Sequence, residues 1–159
     1  FRRIGILRDP LDSSGVVAAS TTYSALTAIK FPTATAASFN VDEVITQATT
    51  GASGKVVSWD STTKILKIYQ SPYEHVSTGD QGGELTPFSG GNAITGADSG
   101  SVETPDTTYS LTVSNLTFSN GYAAPEIQKY TGDIIYVENR RTVSRAIDQI
   151  EDVKLVVEF

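Results

Sequence analysis

A chain of 159 residues that is 39% hydrophobic, with seven Tyr, six Phe and one Trp, can bury the core of one ordinary domain, which argues against disorder. Its net charge of −6 is the reverse of what a protein gripping phosphate backbones carries, and favours a basic or neutral partner. No Cys and a single His exclude disulfides, thiol nucleophiles, thiolate metal sites and multi-histidine centres. No apolar run approaches the roughly 18 residues that span a bilayer. A start at Phe1 with no Met anywhere predicts an interior start or a processed product.

In chain order, Arg3-Ile-Gly-Ile-Leu7 reads as a strand with a sharp exit at Asp9-Pro10, and residues 11–22 as small, polar loop. Tyr23 to Phe31 alternates with Tyr23, Ala25, Thr27, Ile29 and Phe31 on one side, the pattern of a half-buried strand that Pro32 ends. Residues 55–59 and 64–70 form the best hairpin signal, joined by the polar turn Asp60-Ser-Thr-Thr63. A motif of Phe39, Ile45-Thr46, Ala48 and Gly51 returns 49 residues later as Phe88, Ile94-Thr95, Ala97 and Gly100. Two copies are too few for a repeat array, so they are expected to open and close one small β-barrel.

Beyond a polar linker at 101–107, Thr107 to Phe118 alternates Tyr109, Leu111 and Val113 against Thr108, Ser110, Thr112 and Ser114. Asn120-Gly121 marks a turn. Pro125 to Tyr130 suits one helical turn, since Pro is tolerated at a helix start. Ile134 to Val137 and Val153 to Phe159 read as strands. Ser144 to Ile150 suits a short helix with Ser144 as its N-cap.

The fold class expected is therefore mainly β: a β-sheet or sandwich layer interrupted by a small inserted β-barrel, with at most one or two short helices. A parent β domain of 1–38 plus 104–159 would carry the barrel at 39–103. Charge divides at the same points, +2 before the insertion, −5 within it and −3 after it.

Candidate chemistry is sparse. Glu74, Asp80, Glu84, Asp98 and Glu103 could supply glycosidase-like carboxylate pairs, but all sit in Gly/Ser-rich stretches where acids are ordinarily just solvated. His75 lacks a nucleophile-elbow sequence nearby, and Asp60-Ser-Thr-Thr and Asp98-Ser-Gly-Ser lack the spaced oxygen ligands of a calcium loop. Gly79 to Gly91 has no Lys-Ser/Thr ending to make it a phosphate loop. Trp59, Tyr69, Tyr73 and Phe88 could stack on a sugar, though a small barrel needs such rings for its core. The remaining feature is the segment Glu138, Arg140, Arg141, Arg145, Asp148, Glu151 and Asp152. A solvated helix-and-turn accounts for it; so does an interface, because Arg without Lys favours planar, bidentate pairing with carboxylates.

Ile134-Ile-Tyr-Val-Glu-Asn-Arg140, then Arg145, Asp148-Gln149, Glu151-Asp152 and Lys154 to Phe159, resembles the carboxyl end of a tailed-phage baseplate wedge subunit, the product of gene eight in T4-like phages. Arg3 to Pro10 also looks like a segment of that family. The chain departs from the pattern at Thr142, where a proline is expected, and at Ile150, where a threonine is. Part of 39–54, through Glu43, Ile45-Thr46 and Gly51-Ala-Ser-Gly54, is similar to small modules of phage tail proteins.

The resemblance implies a structural protein of the virion tail baseplate, assembled in the host cytoplasm. It implies a homodimer that binds other baseplate wedge proteins, with no catalytic residues, no cofactor, no metal, no nucleic-acid partner and no membrane. The candidate interface is Arg140, Arg141, Arg145, Asp148, Glu151 and Asp152. The alternative is a carbohydrate-binding module of a phage tail fibre or secreted enzyme, built on Trp59 and nearby Tyr.

Overall fold

The structure is a computed structural model that describes residues 2–18, 23–71, 85–113, 116–128 and 130–140, with the backbone alone at 2–4, 139 and 140. It is mainly β, with eleven strands and no helix among the described residues. They are β1 Arg2–Arg8, β2 Thr27–Lys30, β3 Val44–Gln47, β4 Ser53–Asp60, β5 Ile65–Tyr69, β6 Ile94–Gly96, β7 Val102–Glu103, β8 Thr112–Val113, β9 Leu116–Thr117, β10 Tyr122–Ala123 and β11 Asp133–Arg140.

Seven of them make one antiparallel sheet in the order β10-β2-β5-β4-β3-β6-β7. It thus takes β2 and β10 from either side of residues 39–103. The expected hairpin is its centre: β4 and β5 pair from Lys55↔Tyr69 to Asp60↔Ile65. Asp60 caps the connecting turn, accepting bonds from Thr62 N at 2.8 Å and Thr63 Oγ1 at 2.7 Å. A bulge at Val57 shifts the inward phase of β4, so that Val56 and Trp59, three apart, both face the same core.

The repeated motif pairs with itself. β3 and β6 lie antiparallel about the central rung Thr46↔Thr95, flanked by Ile45↔Gly96 and Gln47↔Ile94. Equivalent bonds recur in both halves. Gln47 N donates to Ala52 O and Gly96 N to Ser101 O, each at 2.8 Å; Ala48 N donates to Ala93 O at 2.8 Å and Ala97 N to Val44 O at 2.9 Å. The 49-residue repeat is therefore a local two-fold axis through one ladder.

β2 and β5 are buried on both faces. On one lies the main core, with Ile29, Phe31, Phe39, Ile45, Val56, Leu66, Ile68, Phe88 and Ile94. Phe31, Phe39 and Trp59 meet there with ring centroids 5.4–5.9 Å apart. On the other lie Ala28, Ile65, Leu116, Phe118 and Ala123, covered by the short β8–β9 hairpin. Buried Lys30 reaches the Phe31 carbonyl at 2.6 Å and lies 5.2 Å from the centroid of the Tyr109 ring.

Three expectations change. β2 begins at Thr27 rather than Tyr23. The alternation of 107–118 yields only the two-residue strands β8 and β9, with Leu111 exposed. Residues 125–128 are extended, not a helical turn: Ile127 bridges Asp12, and Gln128 N donates to Leu11 O at 2.8 Å. Pro125 permits a helix, but pairing with residues 11–13 satisfies these backbone groups instead. Asn120 and Gly121 do make the expected tight turn, with φ of 50° and 83° that a type I′ hairpin needs. The Ser144 to Ile150 helix and the Val153 to Phe159 strand lie outside the described residues.

Candidate protein interface

The remaining two strands stand apart from the large sheet as a ribbon, β1 against β11, in register from Arg2↔Arg140 to Arg8↔Asp133. Its base is fastened to the body. Ser13 N donates to Glu126 O, Leu11 N to Thr131 Oγ1, and Ser24 N to the Glu126 carboxylate, at 2.9–3.0 Å. Across the first rung Arg8 and Asp133 form an exposed ion pair at 3.0 Å. Asp12 anchors the adjoining turn through Ser14 and Val16, and these bonds, that from the Ser14 hydroxyl first, hold its carboxyl below the usual range.

Above that base the ribbon is apolar and open to solvent. Ile134, Ile135 and Val137 are 71%, 59% and 52% exposed, and Ile6, Leu7 and Tyr136 are exposed too. Consecutive strand residues point to opposite faces, so Ile134-Ile135 and Tyr136-Val137 put apolar groups on both faces. A strand apolar on both faces is the pattern of one covered on both. Single exposed apolar residues need no explanation; a contiguous group of six does.

Of the charged residues singled out in the sequence, Glu138 and Arg140 fall at the far end. Arg140 is the last residue of β11, opposite Arg2, and Glu138 sits opposite Ile4. Arg141, Arg145, Asp148, Glu151 and Asp152 lie outside the described residues, so the structure brings together only the strand that leads into them. The exposure of the ribbon is not legible in the sequence, because an unbroken apolar run reads simply as a strand and does not say what covers it. The signal available was the absence of polar alternation in 134–137.

Other candidates are engaged in the fold. Trp59 packs edge-on against Phe31 and Phe39, with its Nε1 buried. Phe88 is buried beside them. Tyr69 pairs with Lys55 in the ladder. The Asp98 N–H serves the Glu43 carboxylate, and the Glu103 carboxylate accepts from Thr35 and Thr104 N. Tyr73, Glu74, His75, Asp80 and Glu84 lie outside the described residues. A cleft of about 480 Å³ between Phe88 and Tyr122 has its polar walls committed: Gln70 Nε2 donates to Ser53 O and Thr86 O, and Tyr122 OH to Gly90 O. Among the described residues no three His, Asp or Glu side chains gather to hold a metal ion, and no helix is long and apolar enough to cross a membrane.

Comparison with known proteins gives one family. Residues 108–159 match the Phage-Gp8 family, described as bacteriophage T4 Gp8. The match takes in β8 to β11 and the whole Arg/acid segment; residues 1–10 fall outside it. No curated protein and no solved structure matches the chain. The carboxyl-terminal portion of the chain, residues 108–159, is thus similar to the T4 Gp8 family, the phage baseplate wedge subunit that the sequence resembles.

Proposed function

We propose that this chain is a structural subunit of a contractile-tail phage baseplate wedge, working in virion assembly through protein–protein contacts. The observation that carries the reading is the exposed apolar ribbon, whose β11 strand lies inside the Gp8-like segment. Stable protein interfaces have an apolar centre and a charged rim. Here the apolar strand runs directly into Arg140, Arg141, Arg145, Asp148, Glu151 and Asp152, the residues proposed for that rim. Its charges would set register and partner choice more than affinity. The partners are other wedge proteins and a second copy of the chain, in a particle assembled in the host cytoplasm and carried at the tail end of the virion. In this reading the protein does no catalysis and needs no cofactor. A glycan-binding role loses its anchor, because the Trp59 ring is spent on the core.

The test is location. An antibody raised against this chain should decorate purified virions at the tail tip, in several copies around the axis. Labelling of heads or tail fibres, or of no part of the virion, would contradict the reading.

A further inference from the structure

The duplicated unit buries two polar side chains, Glu43 and Gln47, that stand at different positions of the repeat. Advanced by 49 residues, position 43 falls on Asn92 and position 47 on Gly96. Their bonds are nonetheless equivalent. Glu43 Oε1 accepts from Asn40 N at 2.6 Å and from Ser99 Oγ at 2.9 Å. Gln47 Oε1 accepts from Ser89 N at 2.9 Å and from Thr50 Oγ1 at 3.0 Å. Ser89 is the repeat equivalent of Asn40, and Ser99 that of Thr50. The turns match as well. Gly51 and Gly100 have φ of 69° and 64°, and the hydroxyls of Thr50 and Ser99 accept from Ala52 N and Ser101 N, each at 3.2 Å. Where one copy has Gln47 the other has Gly96, and a Cβ at Gly96 would lie 2.6 Å from Glu43 Oε2.

The two locks differ in their second atom. Glu43 Oε2 accepts from the Asp98 and Ser99 N–H groups. An amide has a nitrogen in that place, which only donates. Gln47 Nε2 accordingly donates to Asn92 O at 3.2 Å and to the Tyr122 hydroxyl at 3.0 Å, while the Thr50 N–H, equivalent to that of Ser99, turns to Ala48 O. The Tyr122 hydroxyl gives its own proton to Gly90 O at 2.7 Å, so it needs a donor from Gln47 and not a second acceptor. Tyr122 belongs to β10, outside the repeat and inside the segment that matches the Gp8 family. We infer that residues 39–52 and 88–101 are two copies of one polar lock, and that the Gln47 lock is specialised to fasten the Gp8-like segment to the repeat through Tyr122. The carboxylate lock closes the repeat on itself; the amide lock ties it to β10.

Thermal melts of the whole chain at neutral pH test both statements. Gln47→Glu keeps the shape but sets an acceptor against Asn92 O and the Tyr122 hydroxyl. Its melt should fall by about 3 °C or more. Tyr122→Phe strands the Gln47 amide in the parent and should therefore lower the melt less in the Gln47→Glu background. Gln47→Gly with Asn92→Glu moves the acid to the position that Glu43 holds in the other copy. This double variant should melt above either of its single variants, and Tyr122→Phe should again lower its melt less than the parent's. An unchanged melt in Gln47→Glu, or a Tyr122→Phe loss that is the same in every background, would overturn the fastening role. A Gln47→Gly, Asn92→Glu variant no more stable than its singles would overturn the equivalence of the two locks.

Discussion

Glu43 shows how a single buried charge holds the duplicated unit together. It is fully buried, and its carboxylate accepts from Asn40 N at 2.6 Å, Asp98 N at 3.0 Å, Ser99 N at 2.8 Å and Ser99 Oγ at 2.9 Å. Burial pushes its pKa up, but these donors outweigh burial and leave it below the usual 4.5. The folded state therefore keeps the carboxylate ionised to lower pH than the unfolded chain does. The stabilisation is complete above about pH 4.5 and is lost as pH falls through the folded value. Glu43→Gln turns an amide nitrogen towards N–H donors and should cost about 1–3 kcal/mol at neutral pH in urea unfolding. The variant should also lose less stability than the parent on acidification; equal losses would contradict this role. Gly96→Ala should act on the same spot, because a Cβ there would lie 2.5 Å from Ser99 Oγ and 2.6 Å from Glu43 Oε2. A cost of about 1–3 kcal/mol is expected by thermal melting. Sequence alone singled out Glu43 only as part of a motif. Three of its four bonds come from Asp98 and Ser99, 55 and 56 residues away, and only the pairing of the two copies brings these together.

Among the elements, β4–β5 and the ribbon are opposites. The hairpin is legible in the sequence because its apolar runs and polar turn are local. It is flanked by strands on both sides, and Leu66 and Ile68 are fully buried. Leu66→Ala should cost about 2–5 kcal/mol in chemical denaturation, and a change under about 1 would mean that the core sits elsewhere. The repeat was legible too, but its meaning was not: spacing shows that two segments are alike and cannot show that they pair. In the same way, Pro125 marked a permitted helix start, while the competing partner, residues 11–13, lay more than a hundred positions away. For the ribbon, sequence found both strands and missed their exposure, since cover supplied by another protein leaves the same apolar pattern as cover from the same chain. Lacking further strands among the described residues, the β1–β11 ladder should open locally at low cost. Amide exchange in the free chain should be much faster in Ile6, Ile135 and Val137 than in Val56, Leu66 and Ile68, and should slow on assembly. Equal protection in the free chain would mean that the ribbon is already covered.

For the molecule as a whole, a sheet that packs on one face along its length, and on both at β2 and β5, is the body to which the ribbon is fastened. The Gp8-like match over 108–159 includes one strand of that ribbon and stops short of the other. Contact through the ribbon is thus the central claim, and light scattering behind size exclusion tests it most directly. Following the proposed function, the protein would be mixed with candidate baseplate wedge proteins, beside the Ile135→Asp with Val137→Asp variant. That variant replaces exposed groups, so its melt should match the parent's to within about 0.5 kcal/mol. The expected result is a larger complex with the parent and free protein with the variant. A variant that assembles as well as the parent would contradict the claim.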